Sequence, residues 1–154
     1  MQDSIFEDLS DIMKETKDKD FDDAREIRNE IRKDLFDPEW KQGKITEAQR
    51  GSLLSLFDTF NIGKDDNIAS VLYVEQWVTD IKSRNLEDSV EESILDKLGD
   101  VYEELIKEDN KEAKEELEDI IEDLKDSTWK VGKITQEQRE LLIEDTSQLL
   151  LNIK

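Results

Sequence analysis

The sequence predicts an all-α protein of about seven helices, and three observations carry that prediction. Apolar residues recur every three to four positions along most of the chain, with no strand-type alternation competing. One long segment occurs twice: residues 4–53 align without a gap on residues 93–142, an offset of 89, with about 21 identical positions. Finally, turn and capping residues fall between the periodic stretches rather than inside them.

In the first copy, Ile5, Leu9, Ile12 and Met13 form one stripe, and Ala24, Ile27, Ile31 and Leu35 a second. Leu53, Leu54, Phe57 and Phe60 form a third. Breaks are expected near residues 17–20 and across residues 37–45, and the only proline, Pro38, sits in the longer break, where it interrupts no helix. Asn61, Ile62 and Gly63 begin a turn. Ile68, Val71, Leu72, Val74, Trp77, Val78 and Ile81 then make the most apolar helix of the chain, too hydrophobic for a flexible tether.

The second copy repeats the three stripes. They are Ile94, Leu98, Val101, Tyr102 and Leu105; then Ala113, Leu117, Ile120, Ile121 and Leu124; then Leu142, Leu149 and Leu150. Its breaks fall at residues 108–110 and 126–134. The expected organisation is a three-helix module over 1–62, a connecting apolar helix over 63–89 and a second three-helix module over 90–154. These are expected to pack as one body with approximate internal twofold symmetry.

The strongest identity between the copies lies in one loop. Trp40-Lys41-Gln42-Gly43-Lys44-Ile45-Thr46 returns as Trp129-Lys130-Val131-Gly132-Lys133-Ile134-Thr135. Much of it reads as a device for entering a helix. Thr46 with Gln49, and Thr135 with Gln138, have capping-box spacing. Gly43 and Gly132 are suited to positive φ. Trp40 and Trp129 are large apolar lids, each worth roughly 2–3 kcal/mol when buried. The cations are harder to place: Lys41, Lys44 and Arg50 recur as Lys130, Lys133 and Arg139, close to a helix N-terminus that disfavours positive charge. They are expected to pair with carboxylates of the acidic hairpins, or else to meet an outside anion.

The glycine-lysine-isoleucine run resembles the second half of an EF-hand loop, but the ligand positions fail. With glycine sixth, the first, third and fifth positions are Pro38, Trp40 and Gln42, or Ser127, Trp129 and Val131, which build no calcium cage. No metal and no other cofactor is expected.

Net charge is −20 on 154 residues, and it is unevenly spread. Residues 1–40 carry −7 and residues 88–128 carry −12, whereas 41–63 and 129–154 are close to neutral. The charge therefore belongs to the first two helices of each copy. Self-repulsion of this size destabilises a compact state and exceeds what solubility requires. A basic protein partner is the reading that accounts for it, with acidic faces formed by Asp8, Asp11, Asp22, Asp23, Glu26, Glu30 and Asp34 in the first copy. Asp96, Asp100, Glu112, Glu115, Glu118, Asp119, Glu122 and Asp123 form the corresponding faces in the second. Direct nucleic-acid binding is not expected of so acidic a chain. A high-salt cytoplasm is the competing explanation of the acidity.

Absence of cysteine and histidine removes thiolate chemistry, disulfides and the commonest general base. Glu103, Glu104 and Glu108, followed by Glu112, Glu115, Glu116, Asp119 and Glu122, have spacings similar to the paired acidic motifs of helical nucleotide pyrophosphohydrolases of the MazG type, and that resemblance implies magnesium on two helices. The first copy lacks the pattern, with Ile27 and Arg28 where the second has Glu116 and Leu117. A non-enzymatic role is therefore expected. The acidic start carries no signal-peptide pattern and no apolar run reaches membrane-spanning length, so a cytoplasmic location outside the membrane is expected. The leading functional expectation is a stoichiometric binder or inhibitor, of the immunity or nucleic-acid-mimic type, of a basic protein that itself handles nucleic acid. A structural or assembly protein with an apolar interface, such as a homodimer, is the alternative, followed by the magnesium enzyme.

Overall fold

Among the described residues seven helices form where the periodicity places them. In this computed structural model they are α1 (Gln2–Asp18), α2 (Phe21–Phe36), α3 (Glu47–Asp58), α4 (Ile68–Ser83), α5 (Asp88–Ile106), α6 (Asn110–Lys125) and α7 (Gln136–Asn152), and the described residues contain no strand. The structure describes residues 2–18, 21–37, 40–41, 43–58 and 68–153, with the side chains of 2–7, 58 and 68 left aside. Pro38, Gln42, Phe60 and the expected turn at Asn61, Ile62 and Gly63 lie outside the described residues, as do the side chains of Ile5 and Ile68. The chain divides into two compact units, Met1–Asp66 and Asn67–Lys154.

In the first unit α2 packs on both α1 and α3. Ile12, Ala24, Ile31, Leu35 and Phe57 form its buried centre, with Leu9, Ile27, Trp40, Ile45, Leu53 and Leu54 packed around them. Met13 departs from the expected stripe: it is 71% exposed, and Ile12 alone takes the inward position at that turn. The inward face of α2 also includes two arginines, Arg28 and Arg32, each 1% exposed. The Arg28 guanidinium donates from Nε and Nη2 to Asn29 Oδ1 at 3.3 and 3.0 Å. These residues stand where the second copy has Leu117 and Ile121, both buried.

In the second unit α5 packs on α4 and α6, and α7 packs on α6 and α4. Every member of the expected α5 and α6 stripes is buried. On α4, Val71, Val74, Trp77 and Ile81 point inward, while Leu72 is exposed, one position off the buried stripe. Two polar groups inside are satisfied locally or across helices. Tyr102 Oη donates to Glu75 Oε1 of α4 at 3.0 Å, and Thr146 Oγ1 donates to the Leu142 carbonyl at 2.7 Å. A buried hydroxyl without such a partner would cost about 1–3 kcal/mol.

The α5–α6 connection is short because each end is capped by the chain itself. Glu108 takes φ 62, and the Asp109 N–H returns to the Glu104 carbonyl at 2.9 Å, a Schellman-type stop. Asp109 then caps α6, its carboxylate accepting from the Glu112 N–H at 3.1 Å. Among the described residues no helix is long and apolar enough to cross a membrane.

Candidate functional site

The repeated loop has the same construction in both units. After α2, the Trp40 N–H reaches the Asp37 carbonyl and the Lys44 N–H reaches the Lys41 carbonyl. After α6, Trp129 reaches Asp126 and Lys133 reaches Lys130 in the same way. The left-handed turns fall on Lys41 and Gly43 at φ 51 and 74, and on Lys130 and Gly132 at φ 49 and 77. The glycines were legible from sequence, but the lysines were not. A non-glycine residue there bears a strain of about 1 kcal/mol. Thr46 and Thr135 complete the expected capping boxes: Thr135 Oγ1 accepts from the Gln138 N–H at 3.1 Å, and Gln138 Oε1 accepts from the Thr135 N–H at 2.9 Å. Thr46 and Gln49 do the same at 3.2 and 3.0 Å.

Arg50 and Arg139 have main-chain partners that the sequence did not suggest. Both are buried, 7% and 6% exposed. Arg50 Nη1 donates to the carbonyls of Leu35 (3.1 Å) and Asp37 (2.6 Å), and Nη2 donates to that of Trp40 (2.6 Å). Arg139 Nη1 donates to Leu124 (3.1 Å) and Asp126 (2.9 Å), and Nη2 donates to Trp129. Each arginine rises from the first turn of one helix and caps the last turn of the helix before it. That end carries orphan carbonyls and the negative pole of the dipole, so a cation is favoured there.

The lysines of the loop are distributed differently. Lys41 Nζ lies 5.0 Å from the centre of the Trp40 ring, and Lys130 Nζ lies 5.9 Å from that of Trp129, within cation–π range. Lys133 pairs with Glu87 Oε1 at 3.2 Å and donates to Ser89 Oγ at 2.8 Å, and Lys44 is exposed. Hydrogen bonding from Ser89, reinforced by Lys133, holds the Glu87 carboxyl below its ordinary pKa. Trp40 and Trp129 are both half-buried.

Most residues of the expected acidic faces are exposed. Asp11 of α1, Asp22, Asp23, Glu26, Glu30 and Asp34 of α2, and Asp96 and Asp100 of α5 are exposed. So are Glu112, Glu115, Glu118, Asp119 and Glu122 of α6. Asp8 and Asp123 are half-buried, and Asp123 pairs with Lys97 at 2.9 Å. Asp22 is paired with Arg25, and Glu115 with Lys111. Partial burial, with like charge beside it, registers at two carboxyls. Partial burial, then Asp100, Asp119 and Glu112, raise the pKa of Glu116; burial and Asp37 raise that of Asp34. Among the described residues no three carboxylates converge as a metal site would require.

Two groups of residues escaped the sequence reading. Arg28 and Arg32 sit at stripe positions of α2, a signal present in the register with Leu117 and Ile121 but masked by their charge. The pair Arg84–Asp145 links the end of α4 to α7, and no local pattern announces a contact spanning 61 residues.

Fold and surface together define an all-helical protein with acidic outer faces and two arginine-braced loops. Comparison with known protein families, curated proteins and solved structures yields no match.

Proposed function

We propose that the protein acts by stoichiometric binding, presenting carboxylate-rich helix faces to a basic partner. The observation that carries this reading is the outer face of α6. Glu112, Glu115, Glu118, Asp119 and Glu122 are all exposed there, while Ala113, Leu117, Ile120, Ile121 and Leu124 occupy the interior. Beside them the pKa of Glu116 is raised, first by partial burial and then by Asp100, Asp119 and Glu112. Such a face attracts a cationic surface over long range and speeds its association. In the leading version its carboxylates take the place of nucleic acid phosphates on a cytoplasmic protein that handles nucleic acid, giving inhibition or immunity-type antagonism.

Affinity capture with the intact protein, washed at increasing salt, tests the reading. Bound basic protein should be released between low and moderate ionic strength as the charges are screened. A partner retained unchanged at about 1 M salt, where the screening length falls to about 3 Å, would contradict it.

A second reading, self-association through apolar contacts, is favoured by Leu72 and Tyr73 on α4 and Leu141 and Leu151 on α7, which are 43, 48, 47 and 78% exposed. Sizing chromatography over a concentration series distinguishes it, because a self-assembling chain elutes above its 18.1 kDa monomer mass.

A further inference from the structure

Within the second unit, α4 and α7 bound a cleft of about 190 Å³. Its walls come from two stripes at helical spacing: Tyr73, Trp77 and Asp80 on α4, with Arg84 just beyond, face Asp145 and Leu149 on α7. The space holds about six water-sized groups, comparable to the heavy atoms of one lysine or arginine side chain.

The chemistry of the walls selects among ligands. Arg84 already shows how a guanidinium sits here, stacked 4.9 Å from the centre of the Trp77 ring and paired with Asp145. That pair is internally neutral. Asp80 is different: among the described residues its carboxylate has only a neutral partner, the Gln76 amide, at 2.9 Å. The lining therefore combines two aromatic rings with one carboxylate whose charge is not balanced inside the cleft. An anion is disfavoured by Asp80 and by the net charge of −20. A wholly apolar group would leave Asp80 and the neighbouring amides of Gln148 and Asn152 without replacement for the water it displaces. A cationic side chain satisfies both surfaces, its stem on Tyr73 and Leu149 and its charge on Asp80.

We infer that this cleft is a pocket for one basic side chain, arginine or lysine, of a polypeptide partner. The inference rests on the basic-partner reading above and deepens it: the acidic helix faces supply attraction at a distance, and the cleft supplies register.

The test is a nuclear magnetic resonance titration of the full chain with N-acetyl-arginine amide. N-acetyl-glutamine amide is the uncharged control, and salt near 0.15 M suppresses diffuse attraction. Saturable shifts confined to α4, Arg84 and α7 are expected, with no response to the control. Asp80→Asn should weaken the arginine probe about tenfold, the loss of one charge-assisted contact. Tyr73→Ala, at an exposed position, should weaken it without altering charge. Unsaturating shifts spread over α2, α5 and α6, or affinity unchanged from the parent in both variants, would overturn the pocket. Capture of a basic partner that is salt-sensitive yet indifferent to both substitutions would remove the pocket and leave the acidic faces standing. A saturable cleft in a protein whose partner is insensitive to salt would do the reverse.

Discussion

Arg139 Nη1 donates a hydrogen bond to the main-chain oxygen of Leu124, 3.1 Å away, joining the first turn of α7 to the last buried residue of α6. Arg50 makes the same bond to Leu35 at the same distance, 15 residues back along the chain. A residue that reads as a misplaced cation at a helix N-terminus is therefore a C-terminal brace for the preceding helix.

Removing the brace should be costly. Arg139→Ala leaves the carbonyls of Leu124 and Trp129 without this donor, while that of Asp126 keeps the Trp129 N–H, and a loss of about 3 kcal/mol is expected, given about 1–3 kcal/mol for each buried group left unpaired. Arg139→Lys should recover little, because one ammonium cannot reproduce a planar fork serving three acceptors. Urea denaturation of the three proteins measures both. Stability unchanged in Arg139→Ala would return the residue to a binding role.

The two capping boxes should respond alike. Thr46→Ala and Thr135→Ala each remove a side-chain acceptor for a helix N–H and should cost about 1 kcal/mol. The same denaturation curves provide the comparison, and a negligible loss at either site would show that water serves that N–H equally well.

Gly132→Ala separates backbone strain from crowding. A Cβ at this position meets nothing within 4 Å, yet φ is +77. The expected cost, about 1 kcal/mol, is conformational alone. Gly51→Ala also meets open space but lies within α3, so it should stabilise slightly because alanine is the better helix former. Opposite signs in thermal melts of the two variants are the expected result.

Acid should act in opposite directions at two carboxyls. Glu116 has a raised pKa in the folded protein, so folding takes up a proton between its ordinary value and the raised one. Stability from this group therefore increases as pH falls through that window and decreases as pH rises. Glu116→Gln should raise neutral-pH stability by about 0.2–0.5 kcal/mol for each like-charge helix neighbour relieved and flatten the pH dependence just above 4.5. Asp126 has the reverse sign. Hydrogen bonds from the Thr128 N–H and hydroxyl lower its pKa, so its contribution is present above 3.8 and lost as pH falls through the folded value. Melting temperature against pH for the parent, Glu116→Gln and Asp126→Asn checks both signs.

Much of the secondary structure was legible because its causes are local. The stripe from Ala113 to Leu124 repeats at helical spacing, and a capping box needs only two residues three positions apart. Met13 and Leu72 show the limit of that signal: each neighbours an inward residue, and periodicity tolerates an error of one position that burial does not. The acidic faces were legible for the same reason as the stripes, since charge on α6 occupies the positions the core leaves. What those faces bind was not legible, because complementarity belongs to two surfaces and only one is in this chain.

By itself the sequence determined where the helices lie, where the capping boxes of α3 and α7 form, that Gly43 and Gly132 turn the chain, and which helices bear the charge. These depend on interactions between residues a few positions apart, whose geometry is the same in any fold. Tertiary structure decided the direction of Arg50 and Arg139, the burial of Arg28 and Arg32, and the meeting of Arg84 with Asp145 beside Trp77. Each of these depends on which face of one helix meets another element. A long polar side chain can satisfy its donors along several directions, and packing selects one of them.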